Sequence, residues 1–183
     1  MSGSSAMIFW FTGLSGSGKT TIAQSVQSQL SQNNLRVLLL DGDDVRDRFH
    51  RHLGFSEADI KENNRLMQQL GRENQDQYDV ILVPIISPYA SSRAAGKKLF
   101  GSRFFEVYIN AEPETVIERD TKGMYAKARR GEIDNLIGFS PNSPYEPPTD
   151  ADIVLNTSKE SELESVNRLL EFINMQLKLV VQS

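Results

Sequence analysis

Residues 13–20 read GLSGSGKT, which puts Gly13, Gly18, Lys19 and Thr20 at the spacing G-x-x-x-x-G-K-[ST], with Gly16 as a further flexible point. Glycine admits the positive φ angles and close backbone approach that turn successive N–H groups toward one anion. A helix opening behind such a loop adds its positive end. The pattern therefore holds the phosphates of a nucleoside triphosphate. Lys19 reaches the β and γ groups, and the Thr20 hydroxyl joins a Mg²⁺ that bridges them. Ser15, Ser17 and Thr21 complete the residues expected against that ligand. ATP with Mg²⁺ is the implied cofactor pair. The bland reading is a glycine-rich turn with a solvated lysine; the apolar run before the loop and the helical run after it argue against that.

A phosphate loop alone does not separate kinases from switch GTPases or motor ATPases. The N-K-x-D tetrapeptide that would read guanine does not occur. The run VLLLD ends in DGDDVR, so Asp41, Asp43 and Asp44 fall at the carboxyl edge of a sheet, where ligands of open α/β folds bind. A carboxylate there holds the magnesium shell or accepts the proton of an attacking hydroxyl. At least one of the three is expected to cap the following helix instead. Asp43 is assigned the catalytic role, with Asp41 beside it. Arg46 and Arg51 carry forks suited to phosphate or sulfate oxygens, although each is also an ordinary surface charge. In IISPYASSR, Ser87 sits at the same edge as a ligand contact or a cap, and Arg93 begins a helical face. The stretch 119–132 gathers Arg119, Lys122, Lys127, Arg129 and Arg130. It reads as a solvated basic helix or, beside a phosphate loop, as a lid that keeps water from the transferred group.

These residues need a frame. Short apolar runs at 7–12, 37–41, 80–85, 104–110 and 151–156, the last an edge candidate, alternate with helical spacing at 19–32 and 163–179. The expected class is α/β, three layers around a mainly parallel five-stranded sheet. One domain over 7–183 is expected, with a basic lid around 119–150 and residues 1–6 as a tail, either flexible or added for expression. The segment 131–150 is the long irregular region. A formal net charge of −4 argues against nucleic-acid binding. The absence of cysteine removes disulfides and thiolate ligands, which suits a cytoplasmic protein. No apolar run approaches the ~20 residues of a membrane span.

Taken in order, FTGLSGSGKTT, LDGDDVR, LGFS, ISPYASSR, DTKGMYAKARRGEI and PYEPPTDADI resemble the adenylylsulfate kinase (APS kinase) family along nearly the whole chain. The resemblance implies a P-loop kinase that moves the γ-phosphoryl of ATP to the 3′-hydroxyl of adenosine 5′-phosphosulfate, usually as a homodimer. It places the nucleotide loop on Gly13 to Thr20 and the essential aspartates on Asp41 and Asp43. It places substrate contacts on Arg46, Arg51, Phe55, Asn63, Ile86, Ser87 and Lys122. In some members the serine at Ser87 is described as a phosphorylated intermediate; direct in-line transfer needs no such step. Three departures touch the acceptor side: Asp44 replaces an asparagine, Ile60 replaces a substrate-binding arginine, and Leu136-Ile137-Gly138 replaces the segment with an adenine-stacking aromatic. Phe139 is the aromatic available to take that place. Other family-related kinases act on compounds such as a cytidine diphosphoramidate, so a second nucleotide conjugate stands beside adenosine 5′-phosphosulfate as acceptor. Outside the enzyme class the rival is an inert nucleotide-binding module.

Overall fold

The computed structural model describes residues 5–181. Strands β1 (Met7–Thr12), β2 (Val37–Leu39), β3 (Val80–Pro84), β4 (Phe104–Asn110) and β5 (Ile153–Asn156) form one sheet of order β2-β3-β1-β4-β5, every pairing parallel. All six residues of β1 are buried, as its continuous apolar run requires of a strand covered on both faces. Phe9 and Phe11 pack toward α1 (Lys19–Gln32) and α7 (Glu162–Val181), meeting Ile22, Val26 and Leu169. Ile8 and Trp10 point the other way, into a core shared with Val45 of α2 (Gly42–Phe49) and Met67 of α3 (Glu57–Asn74); Phe100, the last residue of α4 (Ala90–Phe100), packs against that core. Two short helices, α5 (Pro113–Arg119) and α6 (Met124–Arg129), lie between β4 and β5.

The sheet matches the expected class, and β5 is an edge strand. Three boundaries move for local reasons. β2 stops before Leu40-Asp41, although Leu40 N still bonds Leu82 O at 2.9 Å, because Asp41 turns to cap α2. β3 stops at Pro84, one residue short of the expected run. β5 begins two residues late because the Asp152 carboxylate, at 2.7 Å, takes the Glu106 N–H. At the amino end, Ser5 and Ala6 are packed rather than free: Ala6 N bonds Gln75 O at 2.7 Å and Ala6 is 1% exposed. Residues 1–4 of the expected tail lie outside the described residues.

Segment 131–150 carries no helix or strand. It is tied back by Gly138 N to Ser143 O at 2.7 Å and Glu146 N to Pro88 O at 2.9 Å. Arg93, expected to begin a helical face, lies in the first turn of α4, and that face is buried: the residue is 3% exposed. Its Nε lies 2.6 Å from Glu106 Oε1, and its other nitrogens donate to Ser87 O and Glu146 O, both at 2.8 Å. One guanidinium thus joins β4, the turn after β3 and the irregular segment. Burial raises the Glu106 pKa, with Arg93 opposing it. Arg93→Met leaves that carboxylate buried and unpaired, at an expected cost of about 3–5 kcal/mol. In a chain of this size that lowers the unfolding midpoint by about 10 °C. Without Arg93 the folded state binds the Glu106 proton more tightly than the unfolded state, so stability falls as pH rises. Thermal unfolding is expected to show a smaller loss at pH 5.5 than at pH 8, and an unchanged midpoint at pH 8 would remove Arg93 from this role.

Candidate active site

The chain leaves β1 at Thr12 and turns through residues 13–18 before α1 begins. At Gly13, φ is 152°, and a Cβ would stand 2.5 Å from Ile109 O and 2.9 Å from Ser17 Oγ. Only a residue without a side chain lets the loop pass the end of β4. Gly16 and Gly18 also take positive φ, and Gly18 caps α1. The loop is held from outside: Gly13 N bonds Ile86 O at 3.3 Å, Tyr125 Oη donates to Ser15 O at 2.9 Å, and Thr157 Oγ1 donates to Ser17 O at 2.8 Å. Its amides are therefore fixed before any ligand arrives.

Lys19 is 9% exposed, and its Nζ donates to Gly13 O at 3.0 Å and Leu14 O at 2.8 Å. Burial first and the Lys122 charge second lower its pKa to about 7, against the pull of Asp43 and Asp41. One residue on, Thr20 Oγ1 donates to Asp41 Oδ2 at 2.7 Å. Asp41 Oδ1 accepts from Asp43 N at 2.9 Å and Asp44 N at 3.4 Å. Asp41 is thus both the expected helix cap and the link from the phosphate loop to α2. Asp43 is exposed and paired with Lys122, which comes from the turn between α5 and α6.

A cavity of about 800 Å³ takes in Lys19, Thr20, Asp43 and Lys122. Ser15, Gly16, Gly18, Lys19, Thr20 and Thr21 line its phosphate end, with Asp43 and Lys122 beside them. Gly13 and Ser17, within the loop, are not part of that lining; Ser17 is fully buried, and its Oγ has no partner among the described residues. Toward the far end come Arg46, Phe55, Asn63, Ile86 and Ser87, all expected there. Arg46 donates to Leu53 O at 2.8 Å and to Gly54 O, and its guanidinium stacks 4.3 Å from the Phe55 ring centroid. It holds the LGF turn against the cavity. Ser87 has φ of 46° and is fully buried; its carbonyl accepts from Thr12 Oγ1 at 3.1 Å while its own Oγ is unpartnered among the described residues.

Three expected substrate contacts lie elsewhere. Asp44 and Arg51 are exposed and outside the lining, Asp44 on the outer side of the first turn of α2 and Arg51 with Nε on Asp47 O. Phe139 lines a separate cavity of about 410 Å³ and packs edge-on to Tyr125 at 5.7 Å. The cause is Gly138, at φ 77°, which turns the chain there. The Phe139 ring thus lies outside the larger cavity, whose wall at this point is made by Leu136 and Ile137. Ile60 is 6% exposed and packs with Ile137 and Tyr89, whereas Lys61 points away to Glu57 at 2.5 Å.

Sequence reasoning missed His50, whose Nδ1 lies 2.8 Å from Asn63 Oδ1, and Asn64, which lines the cavity beside Asn63. It also missed Asp120, whose carboxylate accepts from Tyr125 N at 3.0 Å and Ala126 N at 2.9 Å and so starts α6. Only Asp120 carried a signal, an aspartate a few residues ahead of a helical run.

The family model described as adenylylsulphate kinase matches residues 5–156. The chain is 44% identical over 164 residues to the adenylyl-sulfate kinase of Halothermothrix orenii, covering 90% of this chain and 87% of that one. It is 41% identical over 172 residues to the adenylyl-sulfate kinase of Bacteroides thetaiotaomicron, covering 93% and 85%. The structure of the Mycobacterium tuberculosis APS kinase CysC in complex with AMPPNP and APS matches with a TM-score of 0.85 at 36% identity, over 93% of this chain and 98% of that chain. The chain belongs to the adenylylsulphate kinase family.

Proposed function

We propose that the protein transfers the γ-phosphoryl group of ATP to the 3′-hydroxyl of adenosine 5′-phosphosulfate, giving ADP and 3′-phosphoadenosine 5′-phosphosulfate. The observation that carries this reading is that the phosphate loop and Asp43 open on one cavity, so donor phosphates and an acceptor hydroxyl can meet there. The relatives named adenylyl-sulfate kinase and the Mycobacterium tuberculosis enzyme bound to AMPPNP and APS support the choice of donor and acceptor.

Each residue has a task in that reaction. The loop from Gly13 to Thr20 surrounds the triphosphate, and Lys19 exchanges its two carbonyl partners for phosphate oxygens. Asp43 accepts the proton of the 3′-hydroxyl as its oxygen bonds to phosphorus and the bond to the ADP oxygen breaks. Lys122, released from Asp43, then faces the transferring group. Thr20 and Asp41 present two oxygens 2.7 Å apart. That suits Mg²⁺, which takes one or two protein oxygens and completes its shell with phosphates and water. Among the described residues no group of three or more His, Asp or Glu gathers for a metal, in keeping with such a sparse site. When bound, the ion supplies charge neutralisation and alignment of the phosphates.

The same reading makes 119–150 a basic lid on a single kinase domain over 7–183, acting as a homodimer in the cytoplasm. The family resemblance supports the dimer. Among the described residues no helix is long and apolar enough to cross a membrane. One observation favours a second acceptor: Ile60, Leu136 and Ile137 make the far wall apolar where an arginine and an aromatic are expected. Cytidine diphosphate conjugates are therefore the comparison.

ADP release from Mg-ATP is expected with adenosine 5′-phosphosulfate and to vanish in Lys19→Ala. Turnover with a cytidine conjugate alone would transfer the reading to that acceptor, and no Lys19-dependent turnover with either would leave an inert nucleotide binder. Asp43→Asn is expected to keep ATP affinity within about threefold while slowing transfer about 10²–10⁴-fold. Calorimetry and single-turnover kinetics check the two halves, and normal transfer would remove Asp43 from the chemistry.

A further inference from the structure

Among the described residues, side chains donate to the carbonyls of Gly13, Leu14, Ser15 and Ser17 in the phosphate loop, and the bonds divide by where the donor stands. Lys19 lines the cavity and holds Gly13 O and Leu14 O, so a phosphate that draws the ammonium away breaks both. Tyr125 Oη donates to Ser15 O at 2.9 Å, and Thr157 Oγ1 donates to Ser17 O at 2.8 Å. Neither of these donors lines the cavity, so a ligand leaves their bonds in place.

In a trans peptide the C=O and the following N–H share one plane and point in opposite directions. No peptide bond among the described residues is cis. A hydroxyl that fixes Ser15 O therefore fixes the Gly16 N–H on the side away from Tyr125, and one that fixes Ser17 O does the same for the Gly18 N–H. Both glycines line the cavity, and neither N–H has a partner among the described residues. Glycine makes the outside bonds necessary: it lets the peptide before it turn over at little cost, and a turned peptide offers phosphate an oxygen instead of an amide. The two donors are themselves firmly held. Tyr125 is 3% exposed, packs with Val116, Leu136 and Leu14, and gives its N–H to Asp120 at 3.0 Å. Burial pushes its phenol up to about 12, so it stays a donor at neutral pH. Thr157 is 8% exposed; its N–H bonds Asn110 O at 2.9 Å, and Arg119 donates to its carbonyl at 2.5 Å.

We propose that Tyr125 and Thr157 are positioning residues for the donor nucleotide: without touching a ligand, their hydroxyls hold the Ser15-Gly16 and Ser17-Gly18 peptides with the glycine amides free for the phosphates. Tyr125 thereby makes α6 part of the phosphate site.

The inference rests on reading the loop as the ATP phosphate site and is independent of the acceptor. Calorimetry would compare Tyr125→Phe and Thr157→Val with the wild type, using Mg-ATP and magnesium tripolyphosphate, which has phosphates and no base. Each variant is expected to weaken both ligands by the same factor, about tenfold, the scale of one hydrogen bond. Adenosine 5′-phosphosulfate, added to protein saturated with Mg-ADP, is expected to bind within about twofold of wild type. KM for ATP is expected to rise with the dissociation constant while kcat stays within about threefold. Weakened polyphosphate binding in a protein that turns over no acceptor would sustain the inference and sink the phosphoryl-transfer reading. Unchanged polyphosphate affinity in either variant, a loss for ATP with tripolyphosphate spared, or no polyphosphate binding by the wild type would overturn it. So would an equal loss for all three ligands or a variant that fails to fold, because the hydroxyl would then be structural only.

Discussion

A lysine ammonium held out of water, with two carbonyl oxygens as its only hydrogen-bond partners among the described residues, is the constraint around which the site is arranged. Burial, with the Lys122 charge behind it, brings the Lys19 pKa down to about 7 from 10.5 and so works against its charged form. In the nucleotide-free state the side chain turns to the carbonyls of Gly13 and Leu14. Gly13 passes within 2.5 Å, measured from an imagined Cβ, of Ile109 O, and bonds from Tyr125 and Thr157 pin the loop carbonyls. A polyphosphate is the natural relief, since it brings the negative charge that the carbonyls supply only as dipoles.

The acidic groups answer the same need from the other side. Asp41 places one oxygen on the first amides of α2 and the other on Thr20, so moving the phosphate loop moves α2. Asp43, two residues further on, stays exposed and holds Lys122 across the cavity mouth. The pair keeps the carboxylate next to the buried lysine, and the basic segment attached to Lys122 over the phosphates. Arg93 fixes the rear wall, since Ser87 O and Glu146 O both take its protons.

How much of this the sequence shows depends on how local each signal is. The glycine turns of the phosphate loop, an aspartate capping α2 and the buried run of β1 rest on contacts within a few residues, and the structure shows all three. Residues whose role depends on a distant partner were not legible. Arg93 reads only as the start of a helical face until Glu106, thirteen positions on, is seen against it. Phe139 reads as a stacking aromatic until the φ of 77° at Gly138 turns it to Tyr125. Asp44 follows from adjacency to Asp43 in the motif, but adjacent helical residues point about 100° apart and only one side of α2 faces the cavity; Arg51 lies beyond the end of α2, with its Nε on the Asp47 carbonyl. Asn64 and His50 carry no spacing signal at all; only burial without a partner, or with one, reveals them.

The most direct test of the central claim is the number of protons taken up when ATP binds, measured by calorimetry in buffers of different ionisation enthalpy. A lysine with a pKa near 7 is largely neutral at pH 8 and must gain a proton to meet the phosphates, whereas at pH 6 it already carries one. The account predicts uptake of about one proton per ATP at pH 8, little at pH 6, and none attributable to the site in Lys19→Ala. Equal proton uptake by the wild type and Lys19→Ala at pH 8 would contradict it, because Lys19 would then be charged in the empty loop and burial would not be what the ligand relieves.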